Sequence, residues 1–543
     1  MIPVHKRMTD ILPKRHVCDR LLAIYVSTNE TLYRMLHLPS FRAQYEQFWD
    51  KQPQPDYFLP QLLAVLSLGS RFEKKHRGLS HERVEGVHIP TACALVRSWL
   101  DSLKGKQLVN FATLQTELLL VQAQRMVVPR VQDSWAQMGS VVRMAMAMGL
   151  HRDPSEFSPR LSVFAGEMRR RLWYCILDMD FHLSLSCNLP CSVREGDYTC
   201  RSPRNLDDAD LRVGMKELPR GKPVDQPTDN QLQVFAAMSL ATRIRVSHLL
   251  SRIESVQDFD EVLEIGGQLE RSLEDINFLF PRQGMVTDAA QSKQWQSRVI
   301  LDMTLRRPLL ALYRPFALGS PDAPPQIARS YLRSSMMILK YTDDIDPMLA
   351  QFDDVIDMYH QILKQDIIQA AFGICYFIKT GIRAEASSTI QPASRMSPTS
   401  AESPDDRSSI EPENYQIWSP PRLVKTVERT LDLLIHNLRN DVKDIITLTV
   451  VLACVQQVSR EEQADHVRTG LRSTIQSCMR VVNISPEELG ALARQSAGDV
   501  QQNQAFIQQQ QSRPGYPFHN AAPGPLRSLA GWMVWQGWDD EEG

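Results

Sequence analysis

The sequence predicts an all-α protein, on three observations. Apolar residues recur mainly at three- and four-residue spacing, and alternating strand-like stretches are few. One segment, Trp135 to Met148, carries a complete helical stripe of Trp135, Met138, Val142, Ala145 and Met148, ended by Gly149, which can take the left-handed conformation.

In chain order, the spacing predicts helices over Leu59–Ser70, Phe111–Arg125 and Trp135–Met148. The next runs from Glu167 to Ser186, with Leu172, Ile176, Met179 and Leu183 along one face. Glu167 suits the positive end of that helix dipole, whereas Arg169, Arg170 and Arg171 do not, and three arginines there call for specific partners or a solvated patch. Further helices are expected over Gln231–Ile253, Asp258–Phe278, Ser292–Tyr313, Ile327–Thr342, Val355–Ile382, Leu423–Leu438 and Val442–Val458. Residues 201–230, rich in Pro, Asp, Arg and Gly, read as a long surface loop. Residues 384–421, almost entirely Ser, Thr, Pro, Glu and Asp, read as a disordered linker. Residues 498–526 are Gln-rich and then Pro/Gly-rich, and the chain ends in GWMVWQGWDDEEG.

Bulk properties narrow the function. The 543 residues carry a net charge of −2, which does not suggest a nucleic-acid binder. The nine cysteines, odd in number and sparse, read as reduced thiols. No window has the uncharged apolar length of a membrane span, and no signal peptide is visible.

Few strings suggest catalysis. Asp353-Asp354-Val355-Ile356-Asp357 places three carboxylates near one helical face, and it is similar to the Mg²⁺-binding aspartate-rich motif of class I terpene synthases. No convincing second metal motif follows, and carboxylates favour a helix start in any case. Cys187-x3-Cys191-x8-Cys200 lacks the second close pair of a structural zinc site. His81-Glu82 does not continue as H-E-x-x-H, and no phosphate-cradling glycine loop or G-x-S-x-G elbow occurs. The reading is therefore of a protein that is not an enzyme, with no catalytic, cofactor-binding or metal residues.

From Arg169 the string Arg169-Arg170-Arg171-Leu172-Trp173-Tyr174, then Asp180, Pro190, Asp197, Pro203, Asp207 and Asp208, closely resembles the signature of the fungal-specific transcription factor domain, or middle homology region, of zinc-cluster transcription factors. Upstream, Trp135–Pro154 resembles that family's helix ending in Gly149-Leu150-His151-Arg152-Asp153-Pro154. Leu12–Phe41 resembles the domain's beginning, and Arg314-Pro315-Phe316 a later helix end. Phe181 replaces the family's usual Arg, and Asn188-Leu189 replaces Gly-Arg before Pro190; Asn tolerates the left-handed turn.

The resemblance implies a large helical regulatory domain over residues 12–383, after an extension at 1–11. The 384–421 linker, further helices of the same domain at 422–497 and a tail at 498–543 follow it. It implies a nuclear transcription regulator of a metabolic or secondary-metabolite gene set, with coregulators or the transcription machinery as partners and homodimerisation left open. No six-cysteine array is present, so no zinc cofactor is expected here, and DNA is expected to be reached through a missing module or a partner. A non-DNA-binding helical cofactor or scaffold is the alternative, with the terpene-synthase-like enzyme behind it. Leu172 and Trp173 read as core; Arg169–Arg171 are expected to tie the helix start to nearby carboxylates or carbonyls. Trp532, Trp535 and Trp538 with Asp539 and Asp540 form a candidate activation tail.

Overall fold

The computed structural model describes residues 3–72, 86–125, 130–157, 161–252, 259–282, 284–346, 348–349, 352–389, 419–436, 442–456 and 459–483. The chain divides into two compact units, Met1–Arg472 and Ser473–Gly543; of the second, only the end of one helix is described. Among the described residues there are seventeen α-helices and no strand, only an isolated bridge between Val286 and Ile345. The protein is all-α.

Eight helices form the first bundle: α1 (Val4–Asp10), α2 (Arg15–Thr28), α3 (Leu38–Trp49), α4 (Phe58–Ser70), α5 (Ile89–Ser102), α6 (Phe111–Gln124), α7 (Val131–Ala147) and α8 (Val163–Cys187). Every residue of α4 from Phe58 to Gly69 is buried, because α2, α5 and α6 pack around it. A helix apolar on all sides can only be stable when surrounded. Gly69 makes its crossing with α2 possible: a Cβ there would lie 2.2 Å from the Leu21 carbonyl oxygen.

The second set comprises α9 (Gln231–Met238), α10 (Leu240–Leu250), α11 (Phe259–Leu279), α12 (Ala289–Gly319), α13 (Pro325–Lys340), α14 (Phe352–Thr389), α15 (Pro420–His436) and α16 (Val442–Val455). Here α11 to α14 pack each on the next, and α15 and α16 both rest on α14; α9 and α10 link α8 to α12. α17 (Arg460–Val482) follows.

Several expectations need correction. α8 begins at Val163, where Ser162 Oγ accepts the Ala165 amide at 3.2 Å. Glu167 is thus in the second turn and fully buried, not at the dipole end. The single helix expected over Gln231–Ile253 breaks at Ser239, whose hydroxyl accepts from Arg243 Nε while Arg243 Nη2 reaches the Ala236 carbonyl at 2.7 Å. α12 passes Pro308, as expected, but does not end at Tyr313; it continues through Pro315 to Gly319. The flanking Arg306–Asp302 and Arg307–Asp366 pairs brace it where the prolines remove backbone donors. Five helices, α1, α2, α3, α5 and α17, lie outside the expected runs. The expected linker start is helical, since α14 extends to Thr389; residues 390–418 and 484–543 lie outside the described residues.

Candidate functional site

The signature residues converge where α7, α8 and the 201–230 segment meet. α7 closes in a left-handed cap: Gly149 has φ +74°, its amide bonds the Met146 carbonyl at 2.9 Å, and the Leu150 amide bonds that of Ala145 at 3.0 Å. Leu150 is fully buried. The His151 carbonyl then accepts the Thr199 and Cys200 amides at 2.9 and 3.1 Å, and its ring lies 6.3 Å from that of Trp173. Arg152 pairs with Glu156 at the surface.

Each signature arginine has an internal partner. Arg169 Nη2 donates to the Met148 carbonyl at 2.6 Å, at the negative end of α7. Arg170 grips Asp153 through Nε (3.0 Å) and Nη2 (2.9 Å). Burial alone would push the Asp153 carboxyl up; Arg170, Ser155 and the Arg201 amide together hold it well below the usual carboxylate range. Arg171, with no exposure, donates to Asp208 Oδ1 at 2.6 Å. The same carboxylate takes Arg34 at 2.7 Å and the Leu38 amide at 3.1 Å.

A second buried carboxyl completes this cluster. Glu30 accepts from Tyr25 Oη and from the Leu36 amide, both at 2.6 Å, while Arg34 Nη1 donates to the Glu30 carbonyl at 2.7 Å. Burial pushes Glu30 up to about 7, with Arg34 opposing. Glu167 accepts the Arg204 amide at 2.7 Å.

The 201–230 segment is therefore not a loose surface loop. Leu206, Asp208 and Leu211 are buried, and the Asn205 amide group bonds the Pro223 and Gln226 carbonyls at 2.7 and 3.0 Å. Asn230 likewise holds the Arg204 carbonyl at 2.9 Å. Side-chain amides of the buried Asn205 and Asn230 hold backbone carbonyls of the segment here, in place of a ladder.

Leu172 and Trp173 are fully buried in the core. Asp180 accepts the Ser192 amide and hydroxyl at 2.7 and 2.8 Å. Asn188 is left-handed (φ 52°, ψ 42°), so the turn survives without glycine, and the exposed Pro190 accepts at its carbonyl from Ser184 Oγ at 3.2 Å. At Phe181 the ring is covered by Arg243, which pairs with Asp178 at 2.5 Å. A cation thus arrives from α10. Arg34, Asp178 and Arg243 have no sequence signal, because the ion pairs Arg34–Asp208 and Asp178–Arg243 join groups far apart along the chain; Glu30 bonds within six residues but in no recognised motif.

This assembly offers little room for chemistry. The cavity among α8, α9 and α10, lined by Tyr33, Cys175, Asp178, Gln233 and Arg243, measures about 10 Å³, the space of one water. Among the described residues no three His, Cys, Asp or Glu side chains are grouped to hold a metal ion, and no helix is long and apolar enough to cross a membrane. The nine cysteines are free; burial pushes Cys18, Cys191, Cys200 and Cys375 up to about 12. Protonated, scattered thiols do not fit the zinc cluster that the resemblance brings to mind, which needs grouped thiolates. Asp353, Asp354 and Asp357 lie in the first turns of α14, but their side chains are outside the description. Trp532, Trp535, Trp538, Asp539 and Asp540 lie outside the described residues.

Residues 22–278, which contain this whole assembly, match the family described as the fungal specific transcription factor domain. The chain's similar relatives are named transcription factors. Over 355 residues it is 33% identical to the transcription factor opdR of Penicillium oxalicum, covering 63% of this chain and 44% of that protein. It is 28% identical over 320 residues to the transcription factor lepE of Aspergillus flavus, covering 56% and 36%. The fusarisetin A cluster transcription factor of a Fusarium species is 26% identical over 389 residues, covering 68% and 50%. The matches thus span half or less of these relatives' lengths. No solved structure matches.

Proposed function

We propose that this chain is a transcription regulator of the fungal zinc-cluster kind that acts in the nucleus on a metabolic or secondary-metabolite gene set. The observation that carries the reading is the fungal specific transcription factor domain at 22–278, together with relatives named as cluster transcription factors. In this reading the helical domain works through coregulators or the transcription machinery. DNA is reached through another module or a partner. Two features support that division: the net charge is −2, and the signature arginines are already engaged with Met148, Asp153 and Asp208.

A tethering experiment tests it. Residues 1–543 are fused to an unrelated DNA-binding domain and a reporter is measured beside that domain alone. Expression moved away from the baseline, up or down, is the expected result. A silent fusion that is nuclear and intact would replace this reading by that of a scaffold without regulatory output.

A further inference from the structure

Serine followed by proline recurs along the chain, yet only Ser419 has a cation three places on, in Ser419-Pro420-Pro421-Arg422. Kinases that modify serine before proline choose substrates partly by charge, and a basic residue at that third place favours recognition. At Ser397 and Ser403, both outside the described residues, the same place holds Ser400 and Asp406.

Ser419 is exposed and directly precedes α15. Pro420 and Pro421 have no amide hydrogen. The first turn is therefore tied to the serine by the Arg422 and Leu423 amides, which both bond the Ser419 carbonyl, at 2.9 and 3.1 Å. The first buried residue of the helix is Leu423. Residues before proline favour extended backbone, so a kinase can draw Ser419–Arg422 into the extended form it binds without disturbing the core.

The same turn is electrostatically incomplete. The positive end of a helix dipole favours an acidic residue; the first turn of α15 has none and carries Arg422 instead. Three-residue spacing sets the Arg422 side chain beside that of Ser419. Lys340, at the end of α13, neighbours Arg422: burial first and then Arg422 hold it below its ordinary value, with Asp343 opposing. Asp343 is itself engaged by Arg429 at 2.8 Å. The start of α15 lies close on α14, where a Cβ at Gly381 would come 3.3 Å from Pro420 Cγ. Because the Arg422 and Leu423 amides are already bonded, side chains and not the helix start must hold an anion here.

We propose that Ser419 is a phosphorylation site for a proline-directed serine kinase, and that Arg422 and Lys340 hold the phosphate against the start of α15. The step is a phosphoryl transfer from ATP. Ser419 Oγ forms a bond to the γ-phosphorus, the bond from that phosphorus to the bridging oxygen breaks, and ADP leaves; the serine proton passes to the catalytic base of the kinase. The product carries a charge of about −2, which supplies the anion the first turn lacks and lies between two neighbouring cations. α15 buries Leu423, Val427 and Leu434 where it rests on α13, α14 and α16, so a firmer first turn secures that face. The site lies after residue 278, beyond the matched family domain, and does not depend on the transcriptional reading.

The purified 543-residue chain is incubated with a cyclin-dependent kinase and Mg-ATP, and phosphate is mapped by mass spectrometry. Ser419 should fill about tenfold faster than Ser397 or Ser403, and Arg422→Gln should remove that preference. Amide hydrogen exchange over the first two turns of α15 should then slow by about tenfold, the equivalent of one charge-assisted hydrogen bond. Lys340→Gln lies outside the kinase motif; it should leave the rate of phosphorylation unchanged and remove most of the added protection. Ser419→Ala, at an exposed position, should show neither effect. Should Lys340→Gln fail to fold, exchange in the parent with and without phosphate decides alone. A Ser419 left unmodified, or filled no faster than Ser397 and Ser403, would overturn the proposal, and so would phosphorylation that leaves exchange in α15 unchanged.

Discussion

The junction of α7, α8 and the 201–230 segment and the corner between α11 and α12 both bury arginine at helix ends, yet they treat its charge differently. At the first, Arg171 and Arg34 share Asp208, Arg170 holds Asp153, and Glu30 lies alongside. Positive and negative groups there are matched inside the fold. At the second, Arg298 donates to a carbonyl and a side-chain amide and acts on the Asp344 carboxylate without a direct ion pair among the described residues. A matched cluster holds structure together and has little affinity to offer an outside ion. The contrast separates arginines held by direct ion pairs from one held mainly by neutral acceptors, although both kinds are buried.

The largest way to break the contrast is Asp208→Ala, which leaves Arg34 and Arg171 without their carboxylate. It should cost about 3–5 kcal/mol in urea unfolding. A loss below about 1 kcal/mol would mean that the matched cluster is not what secures the 201–230 segment. Glu30 gives the next effect. Its ordinary value is 4.5 and its folded value about 7, so the folded protein holds the proton more tightly than the unfolded chain. The stabilising contribution is full below pH 4.5 and is lost as pH rises through 7, a swing of about 3 kcal/mol. Unfolding midpoints from pH 5 to 8 should show this decline in the parent and not in Glu30→Gln; parallel curves would refute it.

Arg298→Met probes the other side of the contrast. Removing a buried charge that has no direct ion pair offsets the lost helix cap, and stability should stay within about 1 kcal/mol of the parent. A loss as large as that of Asp208→Ala would show that the Arg298 charge is already neutralised. The smallest effect belongs to Asn188→Gly. Glycine occupies a φ of +52° without Cβ strain, so melting should rise by the equivalent of about 0.5–1 kcal/mol. A fall would mean that the Asn188 side chain contributes more than its backbone costs.

Much of the fold was legible because helix periodicity is local. The α4, α6, α11 and α13 boundaries differ from the expected ones by two residues or fewer, while α7 starts four residues earlier than expected. Left-handed Gly149 and Asn188 were legible from residue type alone. The anticipated partners of Arg169–Arg171, carbonyls and carboxylates, are those found. The start of α8 was misread because one serine cap outweighs the position of Glu167. Pro315 misled in the opposite direction: packing against α11 and α13 sustains α12 past a residue at which local propensity would end it. The 201–230 segment looked loose because its composition is polar, yet its Asn and Asp side chains supply the bonds that hold it.

The sequence by itself determined the helical class, most helix spans, the two left-handed turns and the resemblance that places the domain. Each depends on residues within a few positions of one another. Only the tertiary structure decided that Asp208 serves Arg34 and Arg171, that Arg243 covers Phe181, and that Arg298 is held by the Phe280 carbonyl and Asn277. Those facts depend on groups 174, 37, 62, 18 and 21 positions apart. A charge acquires its energetic meaning from burial and distance, and neither is defined until the chain has packed.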